Sequence, residues 1–124
     1  MNIDTINIIT IAYLGDAVYE LYIRNYLINK NITKVDNLQK EAIKYVSAKG
    51  QAKILNNLID NNILTEEELD IVKRGRNYKR STHPKNTDII TYKKSSGFEA
   101  LIGYLYLKNN TKRIEEILQY IEVK

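Results

Sequence analysis

Residues 4–29 read DTINIITIAYLGDAVYELYIRNYLIN, a run without proline, with Gly15 as its one glycine and apolar side chains denser than a single helical stripe requires. At 100° per residue, Ile11, Leu14, Val18, Leu21 and Tyr22 share one face, while Ile9, Ala12, Ile23 and Leu27 surround Asp16 on another. The stretch predicts one long helix, opened by Asp4 as N-cap and buried on more than one side. Working outward, a second helix is expected over about Val35–Ala48, with Leu38, Ala42, Tyr45 and Val46 at helical spacing. A third follows over about Ala48–Asn61, where Ile54, Leu55, Leu58 and Ile59 repeat the period and Asn61-Asn62 stops it. Thr65 and Glu68 form a capping box for a fourth helix ending near Arg74-Gly75. A polar loop over 75–92 holds the only proline, Pro84, and is long for a mere connector. Helices over about Lys93–Lys108 and Thr111–Val123 close the chain. Thr87–Tyr92 is the best strand candidate and a weak one, so the fold class is all-α in one domain spanning 1–124.

The chain has 124 residues, 44% hydrophobic and 27% charged. A chain of this size buries roughly two-thirds of its unfolded surface, enough for one real core and no second large domain. With no Cys and the single His83, disulfides, thiolate zinc sites, iron–sulfur clusters, cysteine nucleophiles and multi-histidine metal cages are excluded. Metal chemistry here must use carboxylates. Neither a membrane span nor an export signal is evident, which reads as a cytoplasmic protein with no membrane partner.

Charge is concentrated rather than spread. Of nineteen basic residues, eight fall within 73–94 (Lys73, Arg74, Arg76, Lys79, Arg80, Lys85, Lys93 and Lys94) beside one acid, Asp88. That balance of +7 leaves the rest of the chain at −3 within an overall +4. The segment is the candidate contact for a polyanion.

Two isolated acids stand out. Asp16 sits on a helix apolar nearly all round, where an ionised carboxylate needs an ion pair, hydrogen bonds or a metal. Glu99 lies in the apolar segment Phe98-Glu99-Ala100-Leu101-Ile102-Gly103, flanked by Gly97 and Gly103, each costing about 1 kcal/mol against alanine in a helix and thus marking close helix packing. If the first and fifth helices pack together, the two carboxylates can face each other. A hard cation between them relieves their repulsion, and Mg²⁺ binds through one or two carboxylates with waters and phosphates completing its shell.

These residues also carry a resemblance. Tyr13-Leu14-Gly15-Asp16-Ala17-Val18 resembles the Leu-Gly-Asp signature of ribonuclease III catalytic domains, and Phe98 to Gly103, followed by Tyr106-Leu107, resembles the family's second, glutamate-containing motif. The length, with no appended double-stranded-RNA-binding domain, and the segments Arg74-Gly75-Arg76-Asn77 and Pro84-Lys85-Asn86-Thr87-Asp88 bring the chain closest to the Mini-ribonuclease III subgroup over essentially its whole extent.

The resemblance implies an all-helical homodimer that cleaves double-stranded RNA with Mg²⁺, leaves 5′-phosphate and 3′-hydroxyl ends, and matures large-subunit ribosomal RNA precursor. By the same resemblance Asp16 and Glu99 are the catalytic, metal-binding carboxylates. The chain departs from the larger enzymes at Ile9, Ala12 and Ser96, where they carry acids. Glu20 is either a water-mediated helper or an i,i+4 partner of Arg24.

Arg74, Arg76, Lys79, Arg80, Lys85 and Asn86 are the expected RNA contacts. His83 is expected to touch phosphate or solvent, and Tyr104 and Tyr106 to serve the core or a dimer contact. The second burial surface of the first helix independently suggests a two-fold dimer. A non-catalytic RNA-binding or ribosome-associated helical protein is the alternative.

Overall fold

Six α-helices succeed one another in the computed structural model, which describes residues 1–79, 85 and 87–122. They are α1 Ile8–Asn29, α2 Val35–Val46, α3 Ala48–Asp60, α4 Glu66–Arg76, α5 Ile89–Leu107 and α6 Thr111–Leu118. No strand occurs among the described residues, so the fold is all-α.

Local chemistry sets the boundaries. The Thr65 hydroxyl accepts from Glu68 N at 3.1 Å while Glu68 Oε1 accepts from Thr65 N at 2.9 Å, the reciprocal box expected for α4. Helices α1, α3 and α5 end alike, with an asparagine in the left-handed region (Asn31, Asn62 and Asn109) one residue past the C-cap. In each case the next amide bonds back five residues, as Ile32 N to Leu27 O, Ile63 N to Leu58 O and Asn110 N to Leu105 O. These are Schellman ends, with asparagine in the place glycine usually takes.

Three expectations need correction. Asp4 does not cap the long helix: it lies in a short 3-10 turn over Ile3–Thr5, and Asn7 caps α1 by accepting from Ile9 N at 3.0 Å. The strand candidate is the start of α5. Asp88 accepts from Thr91 N and Thr91 Oγ1, each at 2.8 Å, and this N-cap prevails over the β-branched preference of Thr87, Ile89, Ile90 and Thr91. Finally, α6 stops at Leu118, after which turns bring Glu122 to Lys30 at 3.0 Å and to the Tyr45 hydroxyl at 2.9 Å.

Helix α5 is the axis around which the others pack, touching α1, α3, α4 and α6. From Ser95 to Leu105 only Glu99 is not fully buried. Phe98 meets Tyr19 of α1 edge to face with ring centroids 4.9 Å apart, and the Tyr19 hydroxyl donates to Tyr45 O at 2.9 Å at the end of α2. The closest crossing uses glycine on both sides. A Cβ on Gly15 would collide with the Glu99 carbonyl oxygen and stand 2.7 Å from Gly103 N, while one on Gly103 would collide with the Ile11 carbonyl oxygen.

Because those obstacles are backbone atoms, no rotamer change relieves them. Gly15→Ala gains about 1 kcal/mol of helix propensity but forces two helices apart, an overpacking cost of about 3 kcal/mol or more. Urea unfolding should therefore show a net loss of about 2 kcal/mol, and an unchanged midpoint would contradict the crossing.

Candidate active site

The glycine crossing decides which side chains meet. Gly15 rests on the carbonyl of Glu99, so the residue after the glycine, Asp16, emerges from α1 beside the turn of α5 that carries Glu99. Helices one and five do pack together, the condition on which the sequence expectation for these two carboxylates depends.

Asp16 is not buried, contrary to the wheel reading. It is exposed, although Ile23 and Leu27 on the same angular face are 0% and 1% exposed. Ala12, one turn earlier on that face, is 1% exposed as well, so the exposure is local to Asp16. Its neighbour Glu20 pairs with Arg24 at 3.5 Å, the i,i+4 alternative.

Glu99 is half-buried, and α3 supplies a partner that sequence reasoning passed over. Gln51 Nε2 donates to Glu99 Oε2 at 3.2 Å and to Val46 O at 3.1 Å. A signal was available: Gln51 stands at helical spacing with Ile54, Leu55 and Leu58, an amide on an otherwise apolar stripe. Ser96, one turn before Glu99, is buried.

The basic segment begins next to this turn. Gly75 packs onto α5 so closely that a Cβ would lie 2.8 Å from the Ala100 Cβ and 2.9 Å from Ser96 O. Its neighbours Arg74 and Arg76 point outward and are exposed, as are Lys79 and Lys85. Arg80, His83 and Asn86 lie outside the described residues. Asp88, the segment's one acid, is held below the ordinary carboxylate range by its hydrogen bonds from Thr91, so it is committed to capping α5. Tyr104 is buried at 8% exposure with its hydroxyl on Glu67 and Lys108, whereas Tyr106 is 44% exposed.

The donors at the crossing suit a hard cation. They are oxygens only, from two carboxylates and an amide whose Oε1 is buried without a partner. Among the described residues no three or more His, Cys, Asp or Glu side chains gather into a cage. Mg²⁺ is a cation that does without one, since it keeps several waters and needs only one or two carboxylates. An oxygen-only set of this kind fits Mg²⁺.

Comparison with known proteins follows the same lines. A family model described as the Ribonuclease III domain matches residues 10–110. The Mini-ribonuclease 3 of Streptococcus pneumoniae is 46% identical over 120 residues, covering 97% of this chain and 94% of the relative. That of Staphylococcus aureus is 48% identical over 120 residues, covering 97% and 90%. The crystal structure of a Fusobacterium nucleatum protein matches with a TM-score of 0.83 at 32% identity, over 94% of this chain and 92% of that one.

Proposed function

The chain belongs to the ribonuclease III family, in its Mini-ribonuclease group, and from that premise we propose that it is a Mg²⁺-dependent endoribonuclease that cuts double-stranded RNA as a homodimer. The reading extends to 5′-phosphate products, to ribosomal RNA precursor as the natural substrate and to the cytoplasm as the place of action. The observation that carries it is the Gly15–Gly103 crossing, where the backbone of α1 next to Asp16 rests on the Glu99 turn of α5, with the exposed basic end of α4 packed on the same helix.

Each group has a distinct task. Glu99, half-buried and held by Gln51, is a preorganised acceptor whose orientation need not be set during the reaction. Asp16, exposed at the rim, is the carboxylate open to water and substrate. When bound, Mg²⁺ supplies polarisation of the scissile phosphate and a lowered pKa for the attacking water. Arg74, Arg76, Lys79, Arg80 and Lys85, with Asn86, bind the RNA backbone. Such contacts read A-form shape through phosphates and 2′-hydroxyls, because the deep major groove of RNA is closed to side chains.

Support for the dimer comes from the outer face of α1. Tyr13, Leu21 and Ile28 are 81%, 67% and 51% exposed, an apolar stripe on the helix that carries Asp16. Two sites related by a two-fold axis would cut both strands. Among the described residues no helix is long and apolar enough to cross a membrane.

The substrate interface is tested by binding. Replacing Arg76, Lys79, Arg80 and Lys85 with alanine should weaken double-stranded RNA binding and lower the slope of log affinity against log salt by about 3.6, at the duplex-DNA value of about 0.9 per lost phosphate contact. Cleavage at saturating RNA should fall much less. Isotherms at several salt concentrations decide it, and an unaltered slope would move the RNA elsewhere. Single-stranded RNA of the same sequence should remain uncut.

A further inference from the structure

Helix α3 buries an amide where its period calls for an apolar side chain. Gln51 is 1% exposed, and burying an amide with an empty hydrogen-bonding position costs about 1–3 kcal/mol. The Nε2 end is fully used, by Glu99 Oε2 at 3.2 Å and Val46 O at 3.1 Å. Both partners are acceptors, a carboxylate and a carbonyl, so the amide can be turned only one way. Its Oε1 is then left buried with no hydrogen-bond partner. Val46 is the last residue of α2, and its carbonyl is one of the four that a helix end leaves without an intrahelical donor. One side chain thus ties Glu99 to the junction of α2 and α3 and keeps an acceptor idle beside it.

We propose that Gln51 is the positioning residue of the metal site: Nε2 holds the Glu99 carboxylate, and Oε1 is kept for an O–H donor arriving with the divalent cation, a water of its hydration shell. The proposal rests on the metal-dependent reading above. Mg²⁺ retains several waters whose protons need acceptors, and an amide oxygen accepts without adding negative charge next to two carboxylates. A methionine would fill the same volume of α3 with no idle acceptor. A glutamate would keep the acceptor but lose the donor, and would repel Glu99 whenever no cation is bound.

The test uses the full chain without RNA, so it does not depend on cleavage. Mn²⁺ binding is followed by electron paramagnetic resonance for the wild type, Glu99→Gln and Gln51→Met, with circular dichroism as the check on folding. Gln51→Met should bind Mn²⁺ about 10- to 100-fold more weakly, the usual effect of losing an outer-shell partner, and Glu99→Gln should lose binding altogether. Gln51→Glu should have a lower Tm than wild type in chelator and a larger rise in Tm on adding Mg²⁺. If Gln51→Met binds within threefold of wild type while Glu99→Gln does not bind, the positioning role is wrong and the metal site stands. If Glu99→Gln also binds like wild type, the metal reading fails and this inference with it. Should Gln51→Met not fold, the Gln51→Glu comparison decides alone, and a metal-induced rise no larger than that of wild type overturns the proposal.

Discussion

Glu99→Gln is expected to lower the single-turnover cleavage rate of double-stranded RNA by about a thousandfold, and Asp16→Asn by a similar factor. Each exchange keeps the size and shape of the side chain while removing a negative charge from the cation site. Metal stabilisation of the transition state is worth several kcal/mol, and a loss of about 4 kcal/mol corresponds to three orders of magnitude. Stability and RNA affinity should barely move. In Glu99→Gln the new amide oxygen can still accept from Gln51, and Asp16 is exposed. The rates are compared at saturating RNA and Mg²⁺, and either variant cutting within tenfold of wild type would remove that carboxylate from the site.

The second large effect is on stability and lies far from the chemistry. Arg113 of α6 grips Glu68 of α4 with two hydrogen bonds of 2.7 Å and also donates to Ile63 O at 2.8 Å. Glu68 is 5% exposed and simultaneously completes the capping box of α4. Glu68 is buried and Arg113 partly so, and removing the arginine strands the carboxylate, so Arg113→Met should cost about 3 kcal/mol by urea unfolding at pH 7. A loss below 1 kcal/mol would show that the pair contributes little.

The same pair predicts a pH dependence. Burial pushes the Glu68 carboxyl up, but the hydrogen bonds from Arg113 and Thr65 outweigh it and hold the group below its ordinary value of 4.5. A group depressed in the folded state stabilises fully above its unfolded pKa and loses that contribution as pH falls through the folded value. Wild type should therefore lose stability below about pH 4.5, and Arg113→Met should lose less over the same range.

What the sequence made legible is what local rules control. Thr65 and Glu68, Asn61-Asn62 and the spacing of Ile54, Leu55 and Leu58 announce helix ends and faces because capping and periodicity act within one turn or a few. Glu99 could be found because a lone acid in an apolar segment is conspicuous. The exposure of Asp16 could not, since a helical wheel gives only the angle of a side chain, and Ala12, Ile23 and Leu27 at nearly the same angle are buried. The start of α5 was obscured by β-branched residues whose strand preference the Asp88 cap overrides. The shortened α6 depends on Glu122 reaching Lys30 and Tyr45, contacts across 92 and 77 residues that no local window contains. Gln51 was visible as a polar break in an apolar stripe, but its meaning required Glu99 beside it.

The central claim is that these carboxylates run metal-dependent hydrolysis of duplex RNA, and one gel tests it most directly. Purified protein is incubated with long double-stranded RNA in Mg²⁺ and, in parallel, in Mg²⁺ with excess chelator, and the products are resolved with their 5′ ends analysed. The account predicts discrete shorter duplexes with 5′-phosphate ends in Mg²⁺ and intact substrate in chelator. Intact RNA in both lanes while the protein still shifts the duplex on a native gel, or equal cleavage in both lanes, would contradict it.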